Sequence, residues 1–241
     1  TCKLTEISQE LGINILLGAK VNKVEKLQKN YRVSFEKEGE TESIKTEMVF
    51  NTAGRIPSIE ELDLSNGNVD FEKGGITVNE FLQSTSNPNV YACGDAAASH
   101  FPPLTPTANL EAQILSENIR KGNKTKLPKI VVPSMVHCIP QLATVGISES
   151  EAENQKDKYQ INYEDVSHWF SSKHLNEENY SYKIIIDKKS QIIVGAHILS
   201  SNAGEVINLF TIAINQKLTI NEVKNMVFAY PTWGADMKAM L

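Results

Sequence analysis

The chain has 241 residues, 41% of them hydrophobic and 22% charged, with a net charge of −5. That is room for one large domain or two modest ones with cores of their own. The acidic balance and the lack of a basic block argue against nucleic acid and against an anionic membrane surface as partners, and no apolar run approaches the ~20 residues that span a bilayer. The three cysteines, Cys2, Cys93 and Cys138, make no close pair and predict reduced thiols in a cytoplasmic protein. The five histidines have no ligand spacing to them, so no metal site is expected. Thr1 to Glu6 has neither an initiator methionine nor signal-peptide character and reads as a helix entered partway, which suggests a fragment.

In chain order, Leu4, Ile7 and Leu11 share one face of a short helix that stops at Gly12. Ile13 to Leu17 predicts a buried strand, Val21 to Leu27 and Tyr31 to Phe35 a hairpin, and Met48 to Thr52 another strand. The charged stretch Glu36 to Lys45 predicts the turn after the hairpin. Leu62 and Leu64 read as anchors of a loop, and Ile76 to Val78 as a short strand. Asn89 to Ala96 reads as a strand that ends at Gly94. A helix is predicted from Thr105, with Thr as its cap and Pro106 in its first turn, to Lys121, ending at Gly122. The polar stretch Asn123 to Pro128 predicts a linker.

Beyond it, strands are predicted over 130–136, 143–147, 159–166, 182–187 and 192–199. Ser148 with Glu151 and Thr219 with Glu222 form capping boxes, and Val206, Leu209, Phe210, Ala213 and Ile214 form a helical stripe. Residues 229–236 predict a turn into a last short helix. The first half is therefore α/β in flavour but incomplete, without a G-x-G-x-x-G motif, and the second half is α+β.

Asp95 stands out because a carboxylate held at a glycine turn suits a polyol or sugar hydroxyl: the acid accepts hydrogen bonds and Gly94 permits close approach. Taken together, Ala53-Gly54-Arg55-Ile56-Pro57, Val90 to Asp95, Leu104-Thr105-Pro106-Thr107-Ala108, Ile139-Pro140, Ala143 to Glu149, Val194-Gly195-Ala196-His197 and Tyr230-Pro231-Thr232 resemble the pyridine nucleotide-disulfide oxidoreductases. The resemblance runs over nearly the whole chain. It implies an incomplete α/β FAD/NAD(P)-binding segment followed by an α+β dimerisation domain, an antiparallel sheet flanked by helices. Residues 1–60 would be the tail of the NAD(P)-binding domain, 61–125 the second segment of the FAD-binding domain and 126–241 the interface domain of a homodimer. It also implies an FAD-dependent oxidoreductase that takes hydride from NAD(P)H and passes it to a disulfide or another small-molecule acceptor. This chain would be its C-terminal part, inactive and a poor holder of FAD by itself.

Carried over residue by residue, the resemblance assigns Gly94 and Asp95 to the flavin ribitol. Thr105 would stand at a helix N-terminus under the flavin ring, with Ala108 close by. Gly54 and Arg55 would lie beside the nicotinamide cofactor. The plainer readings are an ordinary turn for Gly94-Asp95, a helix cap for Thr105, a surface arginine for Arg55, a small core residue for Cys93, and packing for His168 and Trp233. Tyr230 stands where disulfide reductases of the family have an acid/base histidine, and Ala235 where they have the orienting glutamate, with Asp236 one residue later. A phenol, with a reference pKa near 10 against about 6.5 for imidazole, is a poor base at neutral pH but a usable donor. Gln113 stands where glutathione reductases have an arginine, which argues against glutathione as substrate. Soluble transhydrogenases share the Tyr-Pro-Thr sequence, so disulfide-free flavin chemistry is an alternative, as is a dimerisation module without activity of its own.

Overall fold

A computed structural model describes residues 2–241. The chain divides into two compact units, Thr1–Ile56 and Pro57–Leu241. In the first, helix α1 (Cys2–Glu10) buries Ile7 and ends one residue before Leu11, which is exposed. Strands β1 (Lys20–Lys26), β2 (Tyr31–Lys37) and β3 (Glu40–Thr46) form an antiparallel meander. The predicted hairpin is β1–β2. The charged stretch after it contributes a third strand, because the chain turns already at Glu38-Gly39, both with positive φ. Register places Val24, Val33 and Ile44 in one cross-strand row, and Phe35 is buried.

The apolar runs 13–17 and 48–52 are not strands among the described residues, and Ile13, Leu17, Met48 and Phe50 are exposed. An apolar run becomes a strand only where a neighbouring backbone completes its ladder, and the meander supplies none.

In the second unit, β4 (Phe71–Glu72), β5 (Gly75–Thr77) and β6 (Ala97–Ala98) form a small mixed sheet in which β5 and β6 run parallel. Leu64 packs on its cluster with Val69, Ile76, Ala92 and Ala97, whereas Leu62 is exposed. The run before Gly94 makes a single bridge, Gln83 to Tyr91, rather than a strand. Helix α2 (Thr105–Lys121) follows as predicted and ends at Gly122, whose φ is 70°. Its Ile114 packs with Leu82, Phe101 and Leu127. Residues 123–128, expected as the linker between two domains, are held by hydrogen bonds. Asn118 accepts from the amides of Lys124 and Thr125 and donates to the carbonyls of Thr125 and Phe81, and the Leu127 amide donates to Glu80.

Strands β7 (Ser134–Val136), β8 (Gln141–Gly146), β9 (Tyr159–Asp165), β10 (Ser181–Asp187) and β11 (Ile193–Ser200) form an antiparallel sheet in the order β7-β8-β11-β10-β9. Both capping boxes form, opening the short helices α3 (Glu149–Glu153) and α6 (Ile220–Lys224). Between them lie α4 (Phe170–His174) and α5 (Ala203–Asn215), and α7 (Trp233–Asp236) closes the order. Helix α5 lays Val206, Ile207, Phe210 and Ala213 on the sheet, completing a core with Ile184, Ile186, Ile193 and Ile198. Gly146 and Gly195 face each other across β8 and β11. A Cβ on Gly146 would meet the Val194 carbonyl oxygen at 2.2 Å, and one on Gly195 the Ile147 oxygen at 2.5 Å. Glycine at both positions is what lets the strands approach.

Candidate cofactor site

The turn that carries Asp95 is built from three directions. Gly94–Ala96 is a single 3-10 turn entered from extended Cys93 and left through Ala97, whose amide donates to the Gly94 carbonyl. From below, β5 approaches so closely that a Cβ on Gly75 would meet the Ala96 oxygen at 2.5 Å. From the side, α2 supplies Ala108, 3.2 Å from where a Gly94 Cβ would stand, while Gly94 itself has a φ of 63°. Gly94 is thus fixed by two constraints at once, a left-handed backbone and a neighbour with no room for a side chain. Asp95 is exposed on the outside of the turn.

Glu111 completes the arrangement. It is 2% exposed, and its two oxygens accept from the Gly94 amide at 2.6 Å and from the Ser99 hydroxyl at 2.5 Å. Ser99 Oγ in turn accepts from the Phe101 amide at 3.1 Å. Sequence reasoning missed Glu111. The available signal was periodicity: Thr107, Glu111, Ile114 and Asn118 share the buried face of α2, and a carboxylate at such a position demands partners. Burial, and then the nearby Glu111 charge, push the Cys93 thiol above its ordinary pKa. Cys93 packs against the cluster of Leu82 and Phe101, in keeping with a small packing residue rather than a nucleophile.

Thr105 is the first residue of α2, one position later than expected for a cap; Leu104 takes the cap position. The hydroxyl that serves the helix start belongs to Thr107, which lies 2.7 Å from the Pro102 carbonyl and accepts from the Leu104 amide. Thr105 and Pro106 are left exposed at the positive end of a 17-residue helix. Gly94, Asp95, Thr105 and Ala108 therefore belong to one locality, set by the turn and the first helical turn that packs on it. Gly54, with φ at 96°, and Arg55 are exposed in the other compact unit.

Tyr230 belongs to a different cluster. It follows Ala229, precedes a cis proline and is 75% exposed. Its ring stacks on Phe170 at 6.2 Å, and Phe170 stacks on His174 at 5.8 Å. Asp236 does not replace the missing orienting glutamate: its carboxylate turns inward, accepting from Ser171 at 2.5 Å and facing Tyr180. Burial raises the Asp236 pKa against the lowering effect of those contacts. Burial, and then Asp236, push the Tyr180 phenol far above its usual range. Trp233 packs edge-on to Tyr180 at 4.7 Å, and Trp169 packs edge-on to the same Tyr180 at 6.2 Å, so both tryptophans serve the core. His168 pairs with Glu164 at 4.0 Å on the surface.

A glycine–acid turn seated on the first turn of a long helix, followed by an antiparallel sheet covered by helices, is the architecture of the flavoprotein disulfide reductases. The chain belongs to the pyridine nucleotide-disulphide oxidoreductase family: the family model matches residues 2–112 and the model of its dimerisation domain matches residues 132–241. Among curated relatives, an uncharacterized 19.7 kDa protein in a mercuric resistance operon of Staphylococcus aureus is 44% identical over 180 residues, covering 75% of this chain and 100% of the relative. A mercuric reductase of Staphylococcus aureus is 30% identical, covering 98% of this chain and 43% of the relative. A dihydrolipoyl dehydrogenase of Bacillus subtilis is 28% identical, covering 92% and 47%. The chain thus spans all of the first and about half of the other two. Of solved structures, a copper(II) complex of the flavoprotein disulfide reductase RclA from Escherichia coli (C43S mutant) superposes with a TM-score of 0.85 at 21% identity, over 98% of this chain and 53% of that one. LpdA from Mycobacterium tuberculosis gives 0.85 at 18%, over 99% and 51%. The family is one of flavin-dependent oxidoreductases that use NAD(P)H. No described helix is long and apolar enough to cross a membrane.

Proposed function

We propose that this chain is the C-terminal portion of a cytoplasmic, homodimeric, FAD-dependent NAD(P)H oxidoreductase. Residues 1–60 would serve its NAD(P)-binding domain, 61–125 its FAD-binding domain and 126–241 its dimer interface. The observation that carries the reading is the Asp95 turn, an exposed carboxylate held between β5 and the start of α2. The residues fit a flavin: Asp95 offers acceptor oxygens for ribitol hydroxyls, Gly94 sets the turn that carries it, and Thr105 and Ala108 belong to the helix start whose positive end favours an anionic ring. Bound FAD supplies two-electron chemistry between nicotinamide and acceptor. Gly54 and Arg55 would stand beside the nicotinamide cofactor, the arginine offering charge to the cofactor's phosphates. Tyr230 would donate a proton or hydrogen bond from the dimer partner's side of the site. The mercuric-resistance relatives make mercuric ion the acceptor to try first, ahead of a disulfide.

The test is the flavin content of the protein isolated from its host, followed by NAD(P)H turnover with mercuric ion, a disulfide and an oxidised nicotinamide as acceptors. A full-length protein that carries no flavin and takes up none refutes the reading. Asp95→Ala is expected to lower FAD affinity by roughly tenfold or more, the loss of charge-assisted hydrogen bonds; unchanged affinity rejects the role of Asp95. A second reading, a dimerisation module without activity of its own, is favoured by the 19.7 kDa relative, which this chain matches along its whole length. Light scattering that shows a dimer, together with no turnover on any acceptor, would decide for it.

A further inference from the structure

Glu111 is a buried carboxylate. Burying one is costly unless its oxygens are fully engaged. Here both are, and both engage the same short segment. One oxygen takes the amide of Gly94 and the other the hydroxyl of Ser99, so the two contacts bracket residues 95–98. Asp95 is the exposed acid inside that bracket. Ala108, one turn before Glu111 on the same helix, fills the space beside Gly94 and blocks retreat of the turn in that direction. The far end is secured again, because Ser99 Oγ also accepts the amide of Phe101, whose side chain is buried.

We propose that Glu111 is a positioning residue for the cofactor site, fixing the Gly94–Ser99 segment so that Asp95 is presented in one place. The inference rests on the reading of Asp95 as a flavin ligand. Glutamine is the conservative variant. Its carbonyl oxygen can still accept from Gly94, and its amide can donate to Ser99 Oγ, which then turns its hydrogen elsewhere. Alanine leaves the Gly94 amide and the Ser99 hydroxyl without a partner.

The experiment places Glu111→Gln, Glu111→Ala and Ser99→Ala in the native gene and isolates each protein from its host. Three quantities are measured: affinity for added FAD after flavin removal, amide exchange across residues 94–99, and the urea midpoint reported by tryptophan. Glu111→Ala is expected to weaken FAD affinity and speed local exchange by at least about tenfold each, the loss of a buried hydrogen-bonded acceptor. Glu111→Gln is expected to stay within about threefold of the unaltered protein, which a role resting on the charge of Glu111 would not produce. A folded Glu111→Ala that keeps its FAD affinity overturns the inference and leaves the flavin reading intact, as does a Glu111→Gln that loses as much as the alanine variant. Should Glu111→Ala fail to fold, Ser99→Ala decides. Faster exchange and weaker FAD binding at an unchanged midpoint support the inference, and no change in either overturns it. An unaltered protein that binds no FAD overturns both the reading and the inference.

Discussion

Replacing Gly146 by alanine tests how much the glycine pair of the antiparallel sheet contributes. Gly146 ends β8 with φ at 78°, and an added Cβ would lie 2.2 Å from the Val194 oxygen and 3.0 Å from Gly195 Cα. These are backbone atoms, so no side chain can swing aside. A left-handed alanine costs about 1–2 kcal/mol. Parting the strands loosens the Ile147 amide to Val194 carbonyl bond, 3.0 Å long, for about 1 kcal/mol more. Overpacking of the sheet behind it adds about 1–3 kcal/mol. The expected loss is therefore about 3–6 kcal/mol, a large part of the stability of an ordinary domain. Gly122→Ala is the control: φ there is 70° and ψ 146°, but nothing lies within 4 Å of the added Cβ, so only the backbone cost of about 1–3 kcal/mol remains. Urea unfolding followed by tryptophan fluorescence at fixed protein concentration reads the difference. Trp169 and Trp233, the only two tryptophans, pack on the same core and report that core's unfolding. Equal losses for the two variants would show that the β8–β11 approach is not fixed by the missing side chains.

Two further predictions follow from the same sheet and its cover. His197 is held below its ordinary pKa, first by burial and then by Lys183, against the opposing Ile147 carbonyl and Glu149. The neutral ring, whose Nδ1 lies 2.5 Å from Thr144 Oγ1, is thus the native form. Its contribution is complete above pH 6.5 and is lost as pH falls below 6.5 and through the lower folded value. The urea midpoint should fall over that range, and His197→Gln should flatten the dependence; an identical slope in the variant would remove His197 as its cause. Thr219→Ala should cost about 1 kcal/mol, because Thr219 Oγ1 accepts the Glu222 amide while Glu222 takes the Thr219 amide at 2.7 Å. A change in urea midpoint equivalent to under a few tenths of a kcal/mol would show that this box does not hold α6.

The residues show why some of this was readable in advance. The capping boxes at Ser148 and Thr219, the β1–β2 hairpin and the 105–121 helix each depend on groups only a few residues apart, so their chemistry is printed locally. The apolar runs 13–17 and 48–52 needed a neighbouring strand, which no local pattern can guarantee. The run before Gly94 had the composition of a strand but found one bridge, at Tyr91. At the candidate site, the motif residues Gly94 and Asp95 were legible and their support was not. Glu111 acts across 17 residues of sequence on Gly94 and 12 on Ser99, and only the packing of α2 brings it there. The same holds for Asp236, whose inward turn toward Ser171 is decided 65 residues away.

The burial of the last residues has a consequence for biosynthesis. Met237 and Met240 are 3% and 1% exposed, and Lys224 reaches the Leu241 carbonyl at 3.0 Å. All five strands of the large sheet are finished by Ser200, yet α5 and these methionines come after it. During translation the sheet therefore exists before its cover does. Residues 203–241 number 39 (241 − 203 + 1), and at about 5–20 residues per second their synthesis takes roughly 2–8 s. For that interval Ile184, Ile186 and Ile198 face solvent or a chaperone. A message truncated between Ala203 and Met240 would yield a sheet with its apolar face permanently open, a product suited to aggregation rather than to partial function.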